Sequence, residues 1–154
     1  MMSKGFTIIE LLIVMVIIGL LAAAAIVTLS KQSINIYAQR DQIAQDIRYT
    51  QALAMTQAAQ AGGRYRILFG TTSYTISQYA SSTWTAIKTE TLASGITFTN
   101  NNFTNGYVAF DSLGQPYNGS TTTRMTATVT VSITGGGNTR TISVIKNTGS
   151  VEVS

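Results

Sequence analysis

Histidine and cysteine are both absent from the 154-residue chain. The commonest general base and metal ligand are therefore missing, as are disulfides and thiolate sites. The groups left that could do chemistry are Asp111, Glu90, Glu152, the tyrosines and the serines. No nucleophile–base pair can be read from them. Asp111 opens Asp111-Ser112-Leu113-Gly114, a context in which Asp caps a turn. No Asp/Asn spacing resembles a calcium-binding EF-hand loop, and Asn100-Asn101-Asn102 reads as a solvated loop. These residues predict a chain that is not an enzyme and carries no cofactor or metal.

One carboxylate stands out by its surroundings. Glu10 is the single charge between Phe6 and Leu29, and from Leu11 to Val27 no charged or strongly polar residue occurs. A secretory signal peptide has an apolar core of only about 7–15 residues. A bilayer span needs about 20, which the Phe6–Leu29 stretch supplies. A plain anchor explains that length and leaves Glu10 without a reason, because a carboxylate in hydrocarbon is costly and calls for a partner.

The start Lys4-Gly5-Phe6-Thr7-Ile8-Ile9-Glu10-Leu11-Leu12 resembles the leader and mature start of type IV pilins and type II secretion pseudopilins. The resemblance implies a leader at residues 1–5, cut by a prepilin peptidase between Gly5 and Phe6, and N-methylation of Phe6. It also implies that Glu10 pairs with the N-terminal amine of a neighbouring subunit. Ammonium and carboxylate compensate each other in low dielectric, and leaving either alone is expensive. Gly19 and Ala23, four apart and followed by further alanines, are of the small-residue kind that lets helices approach closely. Many pilins carry a proline where this chain has Val27, so the resemblance leaves open whether the helix kinks or melts between Gly19 and Val27.

The helical pattern continues past the apolar run. Between Lys31 and Gln60 there is no Pro or Gly, and Ile36, Ile43, Ile47, Thr50 and Ala54 fall near one face at helical spacing. Asp41, Gln45 and Arg48 mark the opposite face. The spacing predicts one helix from Phe6 to about Ala61, ended by Gly62-Gly63. Its segment 6–30 is the transmembrane and assembly part, and its segment 31–62 covers a sheet.

From residue 63 onward, alternation replaces the helical period. Strands are expected at 64–69, 73–79, 84–92, 96–99, 107–110, 124–133, 140–146 and 150–153, with Thr134 to Thr139 as a Gly-rich loop. Without βαβ alternation the sheet is antiparallel. The predicted class is α+β, a long N-terminal helix packed against an antiparallel, sandwich-like head.

Phe110-Asp111-Ser112-Leu113-Gly114-Gln115-Pro116 resembles the Phe-Asp-x-x-Gly-x-Pro stretch of the GspH/FimT group. The ending Thr141 to Val153 resembles that group's last hairpin. Membership implies a minor pseudopilin of a type II secretion system, whose partners are other pilins or pseudopilins, the prepilin peptidase and the cytoplasmic membrane. The alternative is a FimT- or FimU-like minor pilin of a type IV pilus. Some FimT-like pilins bind DNA through basic residues near C-terminal loops, which makes Arg124, Arg140 and Lys146 the candidate DNA contacts.

Ten basic and six acidic residues give a net charge of +4, scattered along the chain. One basic residue, Lys4, precedes the apolar run, whereas Lys31, Arg40 and Arg48 follow it. Counted alone, they place the N-terminus outside. The family resemblance implies the reverse, a single pass of the inner membrane with the head in the periplasm.

Overall fold

The computed structural model describes residues 7–61, 64–120 and 122–154, with the helix's side chains described at 7–22 and 35–57. Among the described residues one long α-helix, α1 (Ile8–Ala61), carries a head of nine strands. Its 54 residues make it about 81 Å long, and it runs unbroken through the Gly19–Val27 region. The expected stop at Gly62-Gly63 lies outside the described residues.

The head has two antiparallel sheets. The first contains β1 (Arg64–Phe69), β2 (Ser73–Ala80), β3 (Thr83–Thr91), β5 (Tyr107–Phe110) and β6 (Pro116–Asn118), in the order β3-β2-β1-β5-β6. The second contains β4 (Ile96–Asn101), β7 (Val129–Gly135), β8 (Asn138–Val144) and β9 (Val151–Val153), in the order β4-β7-β8-β9. Helix α1 packs on β1 and β5 of the first sheet and on β7, β8 and β9 of the second. Ile36, Ile43, Ile47 and Ala54 are fully buried there with Ile67, Ile76, Val131, Ile133 and Ile142. The helical face read from spacing is thus the face that closes the core. Phe69 joins the two sheets, meeting Phe98 edge-on at 5.4 Å and stacking on Phe103 at 5.5 Å.

Three expectations need correction. The strand predicted at 124–133 begins only at Val129. Arg124 makes an isolated bridge to Tyr117, and this crossing takes the chain from one sheet to the other. The Gly-rich loop is shorter than expected, because β7 runs through Gly135 and β8 starts at Asn138. Gly136 (φ 57°) and Gly137 (φ 76°) alone make the turn, with both backbones left-handed, as a two-residue hairpin of this twist requires. Finally, Asn100 and Asn101 belong to β4, where a bulge between Phe98 and Asn100 lets alternation fail while pairing continues.

Candidate functional site: the exposed helix half and its seat

The helix start is built by Thr7 and Glu10. The Thr7 hydroxyl accepts the Glu10 N–H at 3.3 Å, and Glu10 Oε2 accepts the Thr7 N–H at 3.0 Å. The Thr7 hydroxyl also donates to that carboxylate oxygen at 2.8 Å. This is a reciprocal capping box, in which two otherwise orphaned backbone donors at a helix N-terminus are satisfied. The Thr-x-x-Glu spacing was legible in the sequence, and its local role adds to the one implied by resemblance. Gly5 and Phe6 lie outside the described residues.

Beyond the cap, every described side chain to Ala22 is exposed, Ile8 to 86% and Leu20 to 68%. Gly19 has open space where a Cβ would stand. Ala23 lies in the helix, with its side chain outside the description. No helix among the described residues is long and apolar enough to cross a membrane. The apolar run of the sequence extends to Val27, past the last described side chain of this half.

The other half is fastened to the head at successive levels. The Ala93 N–H donates to Gln39 Oε1 at 3.3 Å, and Arg48 donates to the Val151 carbonyl at 2.9 Å. Gln51 Nε2 donates to the Gly114 carbonyl at 2.8 Å and to the Thr148 carbonyl at 2.7 Å, tying two turns of the head to one side chain. A polar cluster lies at the centre. Asp46, only 8% exposed, accepts the Tyr74 hydroxyl at 2.5 Å and Lys88 Nζ at 2.9 and 3.0 Å. Lys88 also pairs with Glu90 at 3.4 Å. The bulge between Ile76 and Ser77 adjusts the register on this sheet, and Lys88, the partner of Ile76, reaches the helix. Sequence reading missed Asp46. Its signal was the spacing from Ile43 and to Thr50, which puts it on the buried face.

The cluster sets an alkaline limit on stability. Burial, followed by the bond to Asp46, pushes the Tyr74 phenol well above its ordinary 10.0. The hydrogen bond to Asp46 is the main cause raising the Lys88 ammonium above 10.5. In both cases the folded state holds a proton that the unfolded chain has lost. Their stability is therefore complete below about pH 10 and declines as pH rises through the folded values. Urea midpoints measured from pH 7 upward are expected to stay level on account of these two groups until about pH 10, then fall. The fall should be shallower in Tyr74→Phe, and an equal fall would show that Tyr74 is not a source.

Two of the candidate DNA contacts, Arg124 and Arg140, are engaged with tyrosines. The Arg140 guanidinium lies over the Tyr37 ring at 4.2 Å, donates to its hydroxyl and also donates to the Thr139 carbonyl at 3.3 Å. It fastens β8 to the helix. Arg124 donates to the Tyr117 hydroxyl at 3.4 Å and shares a shallow depression with Asn147, next to Lys146. Asp111 caps its turn, accepting the N–H groups of Leu113 and Gln115, each at 2.9 Å. Among the described residues no group of three or more carboxylates could hold a metal ion.

An exposed helix half, opened by the Thr7–Glu10 capping box, thus continues into a two-sheet head. The prokaryotic N-terminal methylation motif matches residues 1–26. No curated protein matches the chain in sequence. The solved structure of the minor pseudopilin EpsH from the type 2 secretion system of Vibrio cholerae superposes with a TM-score of 0.55 at 12% identity. The match covers 77% of this chain and 94% of that one. At that identity the likeness concerns the fold: a long N-terminal helix on an antiparallel head.

Proposed function

We propose that this chain is a minor pseudopilin, a non-enzymatic structural subunit that supports protein export by a type II secretion system. The observation that carries the reading is the division of α1. One half is sealed into the head at Ile36, Ile43, Ile47 and Ala54, while the side chains from Ile8 to Leu21 are exposed and, Glu10 apart, apolar. An apolar surface of that extent calls for cover. Before assembly the cytoplasmic membrane covers it, and afterwards the helices of neighbouring subunits do, packing through Gly19 and Ala23. The prepilin peptidase cuts between Gly5 and Phe6, Phe6 is N-methylated, and Glu10 pairs with the amine of the next subunit. The head stays on the periplasmic side.

Mass spectrometry of the protein purified from its own host tests the processing step. The N-terminal peptide is expected to begin at Phe6 and carry one added methyl group. A peptide still beginning at Met1 or Met2, in cells that assemble the machine, would count against this maturation. Deleting the gene is then expected to stop export of secreted proteins into the medium. Intact export with loss of a surface pilus would favour a type IV pilus subunit.

A further inference from the structure

The outer face of the first sheet carries a second cluster, on the side away from the helix. Along β1, Tyr65, Ile67 and Phe69 are buried in the core, so Arg64 and Arg66 stand on the opposite side. The ladder partners of Arg66 are Ser77 on β2 and Ala109 on β5, both small and both buried. Their size leaves room for larger side chains to close in from further out. The Arg66 guanidinium lies 4.1 Å from the centroid of Trp84 on β3 and 4.9 Å from that of Tyr107 on β5. Those two rings meet at 6.0 Å, and Tyr79 packs on Trp84 at 4.9 Å. Arg64 lies over Tyr117 of β6 at 4.3 Å.

Rings hold these cations where counter-ions would be expected. Among the described residues neither Arg64 nor Arg66 forms an ion pair, and Arg64 Nη1 and Arg66 Nε are buried without a hydrogen-bond acceptor. The carboxylates on or beside this sheet are committed elsewhere: Glu90 to Lys88, and Asp111 to its turn and to Tyr117. Burial lowers the Arg66 pKa from its ordinary value, as expected of a cation short of water and of a negative neighbour. Both arginines are nonetheless partly exposed.

We propose that this face docks an extended acidic segment of a partner polypeptide, with two carboxylates two residues apart seated on Arg64 and Arg66. A planar guanidinium fork matches a carboxylate bidentately. Arg64 and Arg66 leave β1 roughly 6.6 Å apart, and same-face side chains of an extended peptide repeat at that distance. The cation–π stacks hold both forks in place beforehand, which lowers the entropy cost of ordering long side chains on binding. Stacked bases or a neutral sugar would need open ring faces, and guanidinium groups already occupy a face of Trp84, Tyr107 and Tyr117. The site lies in the head alone, so it stands or falls independently of how the N-terminal helix assembles.

Trp84 is the one tryptophan of the chain, so its fluorescence reports on this face. The full-length protein in detergent, titrated at low salt with a peptide of alternating glutamate and serine, should show a saturable change in that fluorescence. Affinity should fall as salt rises. A peptide of the same composition with its glutamates in adjacent pairs turns half of them to the opposite side, and should bind several-fold more weakly. Arg64→Gln combined with Arg66→Gln is expected to weaken binding at least about tenfold. Arg66→Lys keeps the charge and loses the fork, so a several-fold loss is expected, readable even if the double variant does not fold. Arg40→Gln, on the helix at the other side of the sheet, should stay within about twofold of the parent. The proposal fails if low salt gives no change in fluorescence, if the two peptides bind alike, or if Arg66→Lys binds as the parent does. It also fails if Arg40→Gln loses as much as the double variant. An oligothymidylate that displaces the alternating peptide at a lower concentration of charge would overturn it too, and would assign the face to nucleic acid.

Discussion

Glu10→Gln is expected to reduce incorporation of this subunit into the filament by roughly a hundredfold while leaving the helix start intact. The cap that Glu10 makes and the intersubunit pair proposed for it can be separated because they need different atoms. The capping box needs an oxygen that accepts the Thr7 N–H, and glutamine at the third helical position supplies one. Pairing with a neighbour's amine needs negative charge, which glutamine lacks. A variant that loses the box, Thr7→Ala, is expected to assemble with only a modest defect. Assembly can be read by crosslinking neighbouring subunits in cells, and the helix by circular dichroism of the purified chain. If Glu10→Gln assembles like the parent, Glu10 serves its own helix alone and the intersubunit pair is wrong.

The second large effect contrasts two isoleucines on the same helix. Ile47→Ala should destabilise the head by about 2–5 kcal/mol, because Ile47 is fully buried and truncation leaves a cavity between the two sheets. Ile17→Ala removes the same atoms from a side chain that is half exposed, and should leave the head within about 0.5 kcal/mol of the parent. Urea unfolding followed by near-ultraviolet circular dichroism measures both. Incorporation into filaments should invert the order among molecules that fold, if Ile17 lies on the surface that the proposed assembly buries. Equal effects on the head would mean that α1 is not divided between a sealed half and a free half.

Much of this was legible in the chain before any coordinates. The helical face of Ile36, Ile43, Ile47 and Ala54 follows from spacing, because burial on one side imposes a period of about 3.6 residues. Strands β1 and β5 match their expected limits, since alternation and turn residues bound them clearly. Strand β6 was missed because three residues are too few to show a period. The first half of the predicted strand 124–133 went to a crossing between sheets, where the chain must leave one ladder before joining the next. Of the candidate functional residues, Glu10 was found for its charge in an apolar run, and the local spacing that also makes it a cap was overlooked.

The sequence by itself determined the division of labour: an apolar, singly charged start, a helix long enough to outrun it, and a cysteine- and histidine-free β-region with little means for catalysis. Those properties are local, carried by composition and by periods of two or 3.6 residues. Tertiary structure alone decided which distant side chains meet. Asp46 faces Tyr74 and Lys88 across the helix–sheet junction, Arg140 settles on Tyr37, and Arg66 lies over both Trp84 and Tyr107. Each meeting depends on strand order and register. Strand order follows from how the whole chain closes its core, and no short stretch of sequence encodes it.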